Sequence, residues 1–455
     1  MEQHRIEVAL MPPTSSYAEI VEKTAERLGL PLVPADAATP ADLAERVLVV
    51  DLTKSLPTRS LGRRVIAISD DLGLDCFEVI RPSDVGARLE RSLANLAEMV
   101  EGRTQRRLVD EGSLRYLLNL ASSEDPEVRR EVARAMALFA AKRDSHAALQ
   151  RAGSVPCLVQ FARGEDTVSR RFGCLGIGNL AIVTANHQEL FDSGAIASLL
   201  PLAVCDDLET RRCTAFGLNN VASNEKNHRV LERMGVLRPL VALIKDKDQD
   251  THLQACLAVR QLSLTPKCRF QFVEMKGLQP LLALADSDSI EVQRELAAAL
   301  RNLSLSEQNK ISIVREGGMD VLIKFAHSLD VEIAHQSCGV LANLAEALEN
   351  QGPMIETGLL QHLKYVLRSK SVDVQREAVR AIGNLSAEYS HTAAIVAAGA
   401  LLPLVPTLSS PDFLCQRYAA MGIANLATNM GNQPKIMQAG ALQPIISLAR
   451  RDNGD

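Results

Sequence analysis

Apolar and polar positions along most of the chain repeat with a period of 41 residues. The stretch Leu175–Ala181, LGIGNLA, is the first of seven related apolar frames, each built around one carboxamide. These carboxamides, called the ladder residues below, are Asn179, Asn220, Gln261, Asn302, Asn343, Asn384 and Asn425. A second landmark keeps the same step, at Gly112, Gly153, Gly194, Gly235, Lys276, Gly317, Gly358, Gly399 and Gly440. A repeat of roughly 20–50 residues predicts a solenoid of stacked units.

One unit, read from Gly194, predicts three helices. An apolar helix begins after the glycine and ends near Cys205. The polar residues that follow supply oxygens that cap the next helix, which is long and contains Asn220. A shorter third helix ends at Gly235, because a residue without Cβ suits the turn between units.

Composition agrees with stacked helices and narrows the function. The chain is 47% hydrophobic with 3% aromatic residues and no Trp, so Leu, Ala, Val and Ile must form the core. Its net charge of -5 gives no case for nucleic-acid binding by the whole protein. There is neither an 18-residue apolar run nor a signal-peptide core, so we expect no membrane insertion and a cytosolic location, with nuclear entry left open.

The first 102 residues lack the period and predict a small α/β domain. Apolar runs at residues 5–11, 32–35, 47–51, 64–69 and 77–81 are interpreted as strands, with helical stretches between them. The run Val47–Asp51, VLVVD, is apolar throughout, which is typical of a strand in a parallel sheet covered on both faces. The predicted arrangement is a flavodoxin-like parallel sheet.

This domain resembles the second half of a response-regulator receiver domain. In that family a strand-end Asp accepts phosphate, a Ser or Thr ends the next strand, and Lys-Pro follows the last; Asp51, Ser69 and Arg81-Pro82 stand in those places. The first strand, however, ends in LMPP without the acidic pair that holds Mg²⁺, and Arg81 replaces the Lys. We therefore interpret the domain as degenerate or as a cap of the solenoid. The alternative is a signalling output protein switched by phosphorylation of Asp51.

Residues 103–455 resemble armadillo repeats of the scaffold type, such as the vacuolar-protein-8-like and catenin-like groups. The glycine opener, the Asn-Leu-Ala near the end of the long helix and the constant spacing carry the resemblance. HEAT repeats are the nearest competitor, but they have two helices and lack both the glycine and the Asn. The resemblance implies a mainly α, right-handed α-solenoid of about eight full repeats and a partial ninth.

The armadillo resemblance also implies a binding mode. In that family the long helix of each unit lines a concave groove, and its Asn bonds to the backbone of an extended partner peptide. The ladder residues are therefore candidate peptide-binding residues, because a carboxamide both donates and accepts hydrogen bonds. The alternative is that they bond only to the neighbouring repeat. Importin-type cargo is not expected, since the places four residues earlier hold no Trp.

A column of arginines stands eight residues before the ladder residues. Its candidate binding residues are Arg171, Arg212, Arg294, Arg376 and Arg417, with Arg130 in the first unit. Such a column favours an acidic or phosphorylated partner segment. The alternative is that these arginines pair with a Glu or Asp three residues earlier on the same helix.

No motif points to catalysis, a cofactor or a metal site. The histidines are scattered, and Cys174, Cys256 and Cys338 share one repeat position that suits a small buried residue. We therefore expect a non-enzymatic scaffold that binds an extended, partly acidic protein segment. A self-assembling structural protein, acting through homo-oligomerisation, is a third alternative.

Overall fold

The computed structural model describes Arg5–Ala9, Val47–Asp51 and residues 113–450 of the chain. The chain divides into two compact units, Met1–Ser154 and Val155–Asp455. The division follows the first repeat, whereas the sequence analysis places the domain boundary near residue 102.

The first unit contains two of the predicted strands, β1 (Arg5–Ala9) and β2 (Val47–Asp51). They pair antiparallel, with Arg5 opposite Asp51 and Ala9 opposite Val47. The predicted parallel pairing is therefore wrong for these two strands. An all-apolar run indicates burial on both faces, but strand direction depends on the connection, which the run does not encode. The other predicted elements of the first 102 residues lie outside the described residues.

The antiparallel pairing bears on the receiver-like interpretation of Asp51. Sites in open parallel sheets form where the carboxyl ends of neighbouring strands meet. Here Asp51, the last residue of β2, stands opposite the first residue of β1. The pairing thus places Asp51 at the amino end of its neighbour, where a phosphate site of that type is not formed. Ser69 and Arg81 lie outside the described residues.

Helices make up almost all of residues 113–450. The first unit contains α1 (Ser113–Leu120), α2 (Pro126–Ala140) and α3 (His146–Ala152). The helices of the second unit are α4 (Ser154–Arg163), α5 (Thr167–Leu180), α6 (His187–Asp192), α7 (Ala195–Leu199), α8 (Leu208–Ala222), α9 (His228–Arg233), α10 (Leu237–Ile244), α11 (Gln249–Leu262), α12 (Pro266–Glu274), α13 (Leu278–Ala283), α14 (Ile290–Leu303), α15 (Glu307–Arg315), α16 (Gly318–Ala326), α17 (Val331–Leu344), α18 (Leu348–Glu356), α19 (Leu359–Val366), α20 (Val372–Leu385), α21 (Tyr389–Ala397), α22 (Leu401–Leu404), α23 (Phe413–Ala427), α24 (Gln433–Gln438) and α25 (Leu442–Ala449). The three-helix unit recurs throughout, which confirms the predicted helical array.

The long helices of the second unit, α5, α8, α11, α14, α17, α20 and α23, pack on one another in chain order. Their apolar residues form the continuous core of the stack; Leu218, Leu300 and Ile382, for example, are fully buried. No repeat could bury this surface alone, so the neighbour on each side is needed for stability. Cys174, Cys256 and Cys338 are also fully buried and unpaired, and burial raises the pKa of the Cys338 thiol to about 12. Their position serves packing, as predicted.

Among the described residues, no single helix is both long and apolar enough to cross a membrane. By length and composition alone, one pair of consecutive helices, bent by 91°, would pass the same criterion.

Each long helix begins at a side-chain cap. Asp207, for example, precedes α8 and accepts a hydrogen bond from the Thr210 amide at 2.9 Å. Ser289 and Ser371 fill the same place before α14 and α20. The predicted capping oxygens are thus present, and they satisfy amides that the first turn of a helix leaves without partners.

The glycine landmark lies in the turn after each short helix, where the backbone is left-handed. Gly235 has φ 73°, and the other described glycines of the column have φ between 73° and 85°. Lys276 takes the same position with φ 59°, the one non-glycine residue with positive φ among the described residues. This conformation costs a residue with a Cβ about 1–2 kcal/mol.

We expect Lys276→Gly to stabilise the protein by about 1 kcal/mol, because it removes this backbone strain. Gly235→Ala is the matched reverse change: its Cβ would meet nothing within 4 Å, so its expected loss comes from φ alone. Urea unfolding of the full chain measures both. A lower unfolding midpoint for Lys276→Gly would contradict the interpretation of the landmark as a backbone requirement.

Candidate functional site

Four ladder residues share one contact with the preceding repeat. The Nδ2 atoms of Asn220, Asn302 and Asn384 donate to the carbonyls of Gly178, Arg260 and Ala342 at 3.0, 3.0 and 2.9 Å. Asn425 donates to the Gly383 carbonyl at 3.4 Å. The acceptor is always the residue just before the preceding ladder position. Each bond therefore fastens one long helix to the helix before it.

This contact fixes the orientation of the four carboxamides. A carbonyl accepts only from Nδ2, so the Oδ1 atom of each side chain is turned away from the bond. The four side chains are half-buried, and their Oδ1 atoms have no protein partner among the described residues. None of these oxygens is both buried and without a hydrogen-bond partner. The bond to the neighbouring repeat, one of our two alternatives, thus leaves an acceptor open to solvent on each of four helices.

The remaining ladder residues differ from these four. Asn179 and Asn343 are buried, with 8% and 4% of their surfaces exposed. Asn343 donates to the Ser304 hydroxyl at 2.9 Å and accepts from Arg380 at 2.7 Å. Gln261 is half-buried, and its carboxamide has no partner in the described part of the chain. Contact between any ladder residue and a partner stays a prediction.

The arginine column pairs with aspartates of the next repeat. Arg212 Nη2 lies 2.6 Å from Asp248 Oδ1, and Arg376 Nη2 lies 2.6 Å from Asp412 Oδ2. In each case the carboxylate caps the following long helix, 36 residues further along the chain. Arg171 and Arg294 pair in the same way with Asp207 and Asp330. The hydrogen bond from Arg376 lowers the pKa of the Asp412 carboxyl, so this pair remains charged in mild acid.

The predicted pairing within one helix also occurs. Arg130 bonds to Glu127 at 2.5 Å, Arg212 to Glu209 at 2.8 Å, and Arg376 pairs with Asp373 at 3.0 Å. Arg417 is exposed and has no ion-pair partner among the described residues. Most of the column is thus already neutralised by carboxylates of the protein itself.

Three charged side chains on the same helices form what we call the central cluster: Arg301, Glu377 and Arg380. Arg301 Nη2 lies 2.5 Å from Glu377 Oε1, and Arg380 Nε lies 2.9 Å from Glu377 Oε2. Burial by itself would raise the pKa of Glu377, but hydrogen bonds from His335 and Arg301 and the charge of Arg380 lower it to about 2. The cluster joins α14 and α20 across α17, where Gly339 leaves room for the Arg301 guanidinium.

A family model described as "Armadillo/beta-catenin-like repeat" matches residues 265–305, 306–346 and 349–387. These matches follow one another through the region where the three-helix units and ladder residues were found. These three stretches of the chain are armadillo repeats.

Solved structures agree with this assignment. The armadillo array is similar to an engineered protein at 28% identity and a TM-score of 0.69, covering 80% of this chain and 91% of that one. It also shares its fold with a structure from work on a phosphorylation switch that controls the interaction between cadherin and beta-catenin. That likeness has 17% identity and a TM-score of 0.68, and covers 79% of this chain and 69% of that chain. No curated protein matches the chain.

Two features of this armadillo array were missed by the sequence analysis. The first is the ion pair between the arginine column and the helix caps. The sequence does contain a signal for it: where Leu253 and His335 replace the Arg, the cap 36 residues later is Ser rather than Asp. The second is another column of asparagines, seven residues after the ladder. These buried side chains donate to the last carbonyls of the long helices, as Asn227 does to Val221 at 2.8 Å. Their place at or just before the start of the short helix gave no sign of that role.

We expect the pair Arg376–Asp412 to contribute about 1 kcal/mol of coupling energy to stability at neutral pH. Urea unfolding of Arg376→Gln, Asp412→Asn and the double variant measures this coupling. Asn retains an oxygen that can accept from the Cys415 amide, so the cap survives while the charge is lost.

The pH dependence of the coupling follows from the lowered pKa of Asp412. The coupling is fully present above the unfolded value of about 4 and is lost as the pH falls through the lower folded value. Arg417→Gln is the matched control and should change stability little. A coupling of zero at pH 7, or a loss as large in the control, would contradict the inter-repeat role.

Proposed function

We propose that this armadillo protein is a non-enzymatic scaffold that holds an extended segment of a partner protein along its ladder residues. The armadillo fold is in general a binding scaffold, and one structure of the same fold comes from work on the interaction between cadherin and beta-catenin. The observation that carries the proposal for this chain is the set of open Oδ1 atoms on α8, α14, α20 and α23. Each can accept a hydrogen bond from a peptide N–H.

The spacing of these acceptors fits an extended chain. Packed helices lie about 8–10 Å apart, and an extended peptide rises about 3.3 Å per residue. One helix step therefore corresponds to roughly three residues of peptide. A segment that runs from α8 to α23 would contain about 14 residues, with its backbone N–H groups serving as the recognised feature.

The arginine column offers a partner segment less free positive charge than its sequence suggests. Arg171, Arg212, Arg294 and Arg376 are paired with cap aspartates, so an acidic segment would have to compete with carboxylates already in place. Arg417 on α23 is exposed and unpaired among the described residues. We propose that recognition is mainly of the backbone, with one acidic side chain of the partner near α23. We place this activity in the cytosol.

The test is a selection of binders from a random 16-residue peptide library displayed against the full chain. Replacing both Asn302 and Asn384 by Ala should weaken a selected peptide by about tenfold or more, since two backbone hydrogen bonds are lost. Gln361→Ala, an exposed carboxamide outside the long helices, is the matched control. Circular dichroism checks that the array is folded. A library with no enriched peptide, or an undiminished affinity of the double variant, would contradict the proposal.

A further inference from the structure

The carboxamide of Asn343 makes contacts inside the array through both its nitrogen and its oxygen. Its Nδ2 donates to the Ser304 hydroxyl at 2.9 Å, and its Oδ1 accepts from Arg380 Nη2 at 2.7 Å. The guanidinium only donates, so the oxygen must face Arg380. The side chain is 4% exposed. The acceptor that Asn302 and Asn384 leave open is therefore occupied at Asn343.

Whether a ladder oxygen is occupied depends on the residue 37 places after it, which lies on the next long helix. Arg380 stands in that place for Asn343. The corresponding residues are Leu257 for Asn220, Gly339 for Asn302 and Met421 for Asn384. None of these three side chains can donate a hydrogen bond, so each of those ladder oxygens remains available. A single arginine thus distinguishes Asn343 from these three ladder residues.

Arg380 is held in this position by further contacts. Its Nε donates to Glu377 at 2.9 Å and its Nη2 donates to the Gly339 carbonyl at 3.1 Å. Glu377 is 6% exposed and is fixed from the other side by Arg301. A half-buried guanidinium with several charge-assisted bonds does not give up one of them without loss. A partner peptide would therefore not readily displace Arg380 from Asn343.

We propose that the central cluster closes the ladder at Asn343, so that a bound segment is held in two stretches, by Asn220 and Asn302 on one side and Asn384 and Asn425 on the other. The proposal rests on the proposed peptide-binding function and specifies its ligand. A residue opposite α17 need not offer a backbone N–H. Proline, which has no N–H, is accepted there and is rejected opposite the open ladder residues, where the carboxamide oxygen would lose its donor. The fitting partner is an extended segment with a proline-tolerant centre.

A proline scan of a library-selected 16-residue peptide tests this on the unaltered chain, so no variant has to fold. We expect substitutions in one central window to leave the affinity within about twofold, and substitutions flanking the window to reduce it about fivefold or more. Equal losses at all positions, or no loss at any, would overturn the closed position.

Single variants give a second test with the same peptide. Asn343→Ala should bind within about twofold of the unaltered chain, whereas Asn302→Ala and Asn384→Ala should each bind about fivefold more weakly. Arg380→Met places at this position the residue found in the next repeat; in that background, Asn343→Ala should weaken binding as its neighbours do. The melting temperature of each variant identifies losses that come from unfolding.

The outcomes separate the two levels of the proposal. If Asn343→Ala weakens binding as much as Asn302→Ala, the closed position is wrong and the scaffold function stands. If neither Asn302→Ala nor Asn384→Ala weakens binding, the scaffold function itself fails.

Discussion

The hydrogen bond from a ladder carboxamide to the carbonyl of the preceding long helix organises the second unit. It joins helices that already share an apolar interface, and it satisfies a polar group at the edge of that interface. Because the same bond recurs at Asn220, Asn302, Asn384 and Asn425, successive long helices are fastened at equivalent points. The outward direction of the four oxygens is a consequence of this packing bond and needs no separate cause.

The charged residues also connect neighbouring repeats. A guanidinium of one repeat pairs with the carboxylate that caps the next long helix, so a single Asp both begins a helix and holds the preceding repeat. Arg376 and Asp412 show both roles. The result is an arginine-lined edge that carries much less unbalanced charge than its sequence indicates. Under the proposed function, recognition would therefore rest more on backbone hydrogen bonds than on charge, and the central cluster would interrupt the row of ladder residues.

Much of this architecture was predictable from local chemistry. The period, the helix caps and the left-handed glycine turns depend on residues close in sequence, and these predictions are confirmed. The partner of the arginine column was harder to predict, because Glu209 lies three residues from Arg212 while Asp248 lies 36 away, and periodicity alone favours neither. The contact between Asn343 and Arg380 was not predictable, because it depends on how two neighbouring repeats align. The direction of β1 against β2 depends on a connection whose sequence has no period.

The most direct measurement of the central claim is the side-chain NH₂ spectrum of the chain labelled with ¹⁵N at asparagine. On addition of a selected peptide, the carboxamide signals of Asn220, Asn302, Asn384 and Asn425 should shift, because their oxygens gain a donor. The signal of Asn343 should stay in place, because its oxygen already accepts from Arg380. A shift confined to Asn343, or no shift at the other four, would contradict the account.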